Sequence, residues 1–103
     1  MAMILCYITN SSEEEAMRIV ERLLEKRIAA CATVFPVKTA YLWKGKIEKA
    51  SEYVALVKTK KGNWEKLKKE VKKIHSYETP CIIKINAEAN DDYEKWLKKE
   101  LKQ

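Results

Sequence analysis

A seven-residue run, His75-Ser76-Tyr77-Glu78-Thr79-Pro80-Cys81, gathers an imidazole, a carboxylate and a thiol close together in the chain. All three are metal donors. The mixture suits copper, because thiolate favours Cu(I) and imidazole serves either oxidation state. Pro80 fixes the chain direction, so a short turn can bring His75, Glu78 and Cys81 to one point at the rim of the molecule. His75 is the one histidine, so imidazole ligation uses it or does not occur. The structural alternative is that His75 caps a helix end or bonds within the turn, Tyr77 and Glu78 serve the turn or an interface, and Cys81 points into the core.

Other chemistry has less to stand on. Cys6, Cys31 and Cys81 are odd in number and widely spaced, which fits neither a disulfide framework nor a paired-cysteine zinc site. Cys6 reads as a small buried hydrophobe. No serine, threonine or cysteine has a recognisable base beside it, and Ile8-Thr9-Asn10-Ser11-Ser12 lacks the glycine and arginine of a phosphate cradle. The expectation is therefore a binding protein, not an enzyme, with no required cofactor and with copper or another divalent metal ion as ligand.

The elements that position these groups follow from patterning. Met3 to Ile8 is continuously apolar, as in a central strand covered on both faces. Ser12 with Glu15 forms a capping box, starting a helix whose apolar stripe is Ala16, Val20, Leu23, Leu24 and Ile28. Ala29 to Phe35 is a strand; Pro36, without an amide proton, predicts an edge position and a bend. Val37, Thr39, Tyr41 and Trp43 share a face and run up to Gly45, a positive-φ turn residue, and Tyr53 to Thr59 alternate on the way back. This is a long hairpin with exposed aromatics near its tip. Asn63 is placed to cap a second helix bearing Trp64, Leu67, Val71 and Ile74. Cys81 to Ile85 is a fourth strand, and Asn90-Asp91-Asp92 starts a last helix bearing Tyr93, Trp96, Leu97 and Leu101.

The order strand, helix, strand, strand, helix, strand, helix predicts an α+β, ferredoxin-like split βαβ sandwich with a C-terminal helix, as one domain over residues 1–103. One helical layer covers one face only. The terminal helix or another subunit must cover the other, and a partner would also occupy the hairpin edges. Tyr41, Trp43 and Trp96 read as packing groups.

Composition bounds the rest. With 103 residues, 47% hydrophobic and few Gly or Pro, one core fits and disorder does not. The longest apolar run is too short for a membrane span and no cleavable signal is recognisable, so no membrane partner and a cytoplasmic location are expected. The net charge of +6 is mostly lysine. Lysines mixed with glutamates on the second helix describe a solvated face, and the enrichment of both with scarce glycine fits a heat-adapted protein. Ser51 to Leu56 lacks the basic, glycine and paired-aromatic signature of an RNA-recognition strand, so no nucleic-acid partner is expected.

Five segments in register resemble the CutA family of divalent-cation tolerance proteins: Glu25 to Ala32, Tyr41 to Glu48, Leu56 to Thr59, His75 to Pro80 and Tyr93 to Leu97. The resemblance implies a ferredoxin-like subunit, a homotrimer built through the long hairpins, a cytoplasmic setting and a role in tolerance of heavy metals, chiefly copper. Two positions depart from the family pattern. The usual His-Pro-Tyr-Glu is here His75-Ser76-Tyr77-Glu78, and the acid common after the next proline is replaced by Cys81, a soft sulfur in place of a hard oxygen. The alternative function is a small-ligand signalling trimer like the PII proteins, which share the subunit architecture.

Overall fold

A computed structural model describes residues 3–101; Met1, Ala2, Lys102 and Gln103, the ends of the domain expected over 1–103, lie outside the described residues. The elements are β1 (Met3–Asn10), α1 (Glu13–Glu25), β2 (Cys31–Trp43), β3 (Lys46–Lys60), a 3-10 turn (Lys61–Asn63), α2 (Trp64–Ile74), β4 (Ile82–Ala87) and α3 (Asp91–Leu101). The strands form one antiparallel sheet in the order β2-β3-β1-β4, the expected ferredoxin-like α+β fold.

Alternation along the central strands divides the sheet into two faces. Ile4, Cys6 and Ile8 of β1, with Ala55 and Val57 of β3, meet Ile19 and Leu23 of α1 and Leu67 and Val71 of α2 in the main core. Burial pushes the Cys6 thiol up to about 11, with Lys84 offsetting a little, so it packs as an inert hydrophobe. The opposite face carries Leu5, Tyr7 and Thr9, level with Ile85, Ile83, Leu56 and Val54 on the flanking strands. There α3 covers one end only: Leu97 and Leu101 pack with Met3, Leu5 and Ala87. Ile83 and Ile85 stay 49% and 43% exposed, so much of this apolar face is open.

Several local expectations shift. Leu24 lies outside and Ile19 takes its place in the stripe, while Ile28 falls beyond the helix. Arg27, at φ 58, ends α1 in the left-handed conformation; the Ile28 amide donates to the Leu23 carbonyl at 2.9 Å and the Arg27 amide to Leu24 at 3.0 Å, a Schellman closure without glycine. That closure drops Ile28 into the core. Pro36 neither divides nor terminates β2, which pairs with β3 without interruption; it occupies an edge strand, where a missing amide proton breaks no required ladder bond. Asn63 makes no cap for α2. Its amide instead donates to the Ile28 carbonyl at 3.0 Å and to the Thr59 hydroxyl at 3.1 Å, locking the loop after α1 to the end of β3.

The hairpin turns through Lys44 and Gly45, both at positive φ (51 and 80), as a tight primed turn requires. β1 pairs with β3 from Tyr53 onward, whereas β2 pairs with it all the way to Lys46. Residues 46–52 and their partners therefore form a two-stranded ribbon beyond the sheet, which gives a molecule 45 × 24 × 21 Å. Leu42 and Ile47, opposite each other near its tip, are 73% and 72% exposed.

Candidate functional site

The turn from Ser76 to Cys81 is fastened to the first helix by Glu15. Ser12 accepts the Glu15 amide at 3.1 Å as the capping box requires, but the carboxylate reaches past Ser12. One oxygen accepts the Ser11 amide at 2.8 Å and the Ser11 hydroxyl at 3.0 Å; the other accepts the Ser76 amide at 2.8 Å. Burial alone would raise this carboxyl, yet the hydrogen bonds from Ser76 and Ser11 outweigh it and hold it at about 2.

His75 ends α2 and turns its ring inward. Nε2 donates to the Thr9 carbonyl at 2.7 Å, which fixes Nδ1 as the acceptor of the Tyr77 amide at 3.0 Å. Both ring nitrogens are thereby engaged within the protein. The Tyr77 ring leans on the imidazole, centroids 4.7 Å apart, and its hydroxyl donates to Glu52 at 2.5 Å. Burial first, then the hydrogen bond to Glu52 and its charge, push the Tyr77 phenol above its ordinary range, so it stays a donor.

Between this turn and the face of the hairpin ribbon lies a cleft of about 700 Å³. Tyr7, Tyr41, Trp43 and Tyr77 give it aromatic walls, Thr9, Thr39, Ser76 and Thr79 hydroxyls, Glu48, Glu52 and Glu78 carboxylates, and Cys81 a thiol. Among the described residues no lysine, arginine or histidine lines it, in a chain with 21 Lys and Arg. Glu52 is buried, and among the described residues none of the three carboxylates has an ion-pair partner. Burial pushes the Cys81 thiol up, a hydrogen bond with Thr9 lowers it in part, and the Glu52 charge raises it again.

The structure thus places two of the three expected donors, Glu78 and Cys81, on one cleft and His75 behind its wall. Among the described residues no group of three His, Cys, Asp or Glu is placed to hold a metal ion, so the trio does not form a closed ligand set. The residues missed from sequence are Glu48 and Glu52. Strand phase contains the signal: Glu52 shares its face with Val54 and Leu56, a carboxylate in an apolar row, and Glu48 lies directly opposite Tyr41. Tyr41 and Trp43, expected as packing groups, line the cleft and remain part-exposed in the single chain.

Comparison with known proteins agrees with this architecture. The family model of the CutA1 divalent ion tolerance protein matches residues 4–100. The divalent-cation tolerance protein CutA of Archaeoglobus fulgidus is 51% identical over 82 residues, 80% of each chain. That of Pyrococcus horikoshii is 42% identical over 101 residues, 97% of this chain and 99% of the relative. A solved structure described as the periplasmic divalent cation tolerance protein CutA from A. fulgidus superposes with a TM-score of 0.95 at 42% identity, covering 97% of this chain and 99% of that one. CutA1 from Oryza sativa, at 26% identity, still superposes at 0.94 over 99% of this chain and 95% of its own. The chain belongs to the CutA1 divalent ion tolerance protein family.

Proposed function

We propose that this chain serves divalent-ion tolerance by binding metal ions, chiefly copper, in the acidic cleft of a homotrimer, without turning over a substrate. The observation that carries the reading is the cleft's charge. Three carboxylates and a thiol line it with no cationic side chain beside them among the described residues, on a chain whose net charge is +6. A divalent ion neutralises the unpaired carboxylates, and the Cys81 sulfur gives copper an advantage over harder ions. The ion keeps part of its water shell, because one copy offers no closed three-residue ligand set among the described residues. His75 positions the wall through Thr9 and Tyr77.

The trimer is supported by the two-stranded ribbon and the open apolar face. A two-stranded ribbon is marginally stable alone. Burying Leu42 and Ile47 against other copies would contribute about 1.5–3 kcal/mol for each. A cytoplasmic location is part of the same proposal, supported by free thiols at Cys6, Cys31 and Cys81. No helix among the described residues is long and apolar enough to cross a membrane.

Calorimetric titration with copper tests the binding claim. Wild type should bind saturably, and Glu48→Gln with Glu78→Gln should lose at least about tenfold in affinity. Equal affinity would remove the cleft from the account. The four aromatic side chains lining the cleft favour one second reading, a small organic ligand as in PII-like sensors. A thermal shift with such a ligand but none with copper or other divalent ions would select it.

A further inference from the structure

A second cleft, of about 930 Å³, opens where α1 ends beside α2 and the end of β3, and its charge is opposite. Among the described residues six basic side chains line it, Lys26, Arg27, Lys60, Lys66, Lys69 and Lys73, against two acids, Glu25 and Glu70. Part of that charge is spent inside the protein. Glu70, almost fully buried, draws Lys26 at 3.1 Å, Arg22 at 3.2 Å and Lys73 at 3.5 Å. Arg27 turns to the end of α3, donating to the Glu100 carbonyl at 2.9 Å and pairing with its carboxylate at 3.4 Å.

Lys60, Lys66 and Lys69 have no ion pair among the described residues. They come from two elements, Lys60 from the end of β3 and the other two from successive turns of α2. Lysines on one solvated helix face would spread outward; these border a common hollow, where their repulsion is relieved by a multiply charged anion. Lys66 and Lys69 lie about 4.5 Å apart along the helix axis, and Lys60 adds a third charge from the end of β3, a spacing suited to adjacent groups of a short linear phosphoryl chain. Lysine recognises phosphate as a point charge. No aromatic side chain lines the cleft, so no platform for stacking a base is present.

We propose that this cleft binds a linear oligophosphate through Lys60, Lys66 and Lys69, without reading a nucleobase. The test is calorimetric titration of the full chain with inorganic tripolyphosphate in low salt, with ATP and oligothymidylate as parallel arms. Tripolyphosphate should bind saturably, ATP with similar affinity, and oligothymidylate more weakly. The Lys60→Gln, Lys66→Gln, Lys69→Gln variant should lose about tenfold or more, while the charge-matched Lys72→Gln, Lys95→Gln, Lys98→Gln variant keeps wild-type affinity. Thermal unfolding establishes that both variants are folded. Absence of saturable tripolyphosphate binding, equal loss in both variants, ATP binding without tripolyphosphate binding, or tighter oligothymidylate binding would each overturn the proposal.

Discussion

Replacing Glu15 with glutamine should remove a pH-dependent share of the stability and loosen the wall of the acidic cleft. The carboxyl stands at about 2 against an ordinary value of 4.5, burial opposing the shift and the hydrogen bonds from Ser76 and Ser11 producing it. Because Glu15 is 2% exposed, solvent screens these bonds little. A displacement of that size corresponds to about 3 kcal/mol favouring the folded state. The sign follows from a depressed carboxyl. The contribution is complete above pH 4.5 and is lost as pH falls through about 2. Urea unfolding of wild type and Glu15→Gln at one protein concentration, at pH 7 and at pH 2.5, measures it. The gap should be about 3 kcal/mol at pH 7 and shrink toward zero in acid. Hydrogen exchange at the Ser76 amide, which donates to this carboxylate, should accelerate in the variant. A gap that does not change with pH would mean that shape, not charge, is what Glu15 supplies.

Three further outcomes follow from the same geometry. His75→Ala leaves the Thr9 carbonyl and the Tyr77 amide without their partner and should destabilise by about 1–3 kcal/mol in chemical denaturation. Its copper affinity, measured by calorimetry, should fall less than that of Cys81→Ser; the reverse order would make the imidazole a ligand. Cys81→Ser should weaken Cu(I) binding while sparing magnesium, and wild-type Cu(I) affinity should rise with pH because the thiol is held above its ordinary value and must lose its proton to bind. Leu42→Asp with Ile47→Asp places two charges on exposed apolar positions of the ribbon, and light scattering should show the proposed trimer in wild type and monomer in the variant.

The fold was legible because its signals are periodic. β1 reads as apolar on both faces, Ser12 and Glu15 mark a helix start, and Gly45 sits where the hairpin reverses. The end of α1 was not legible, since Arg27 adopts a conformation that glycine usually announces. Asn63 has a good capping side chain, but its side-chain nitrogen donates to the buried Ile28 carbonyl and the Thr59 hydroxyl, and the side chain makes no cap for α2. The site was half legible. Neighbours in sequence gave His75, Glu78 and Cys81, whereas the cleft is assembled across strands, where Glu48 and Glu52 reach it through register. The direction of the His75 ring depended on Thr9, 66 residues away, a contact that no local pattern encodes.

The most direct measurement is the copper anomalous difference map of crystals grown with copper, compared with metal-free crystals. A peak is expected in the cleft bordered by Glu48, Glu52, Glu78 and Cys81, with the His75 ring still donating to the Thr9 carbonyl. Copper on the His75 ring with that hydrogen bond broken, or copper outside the cleft altogether, would contradict it.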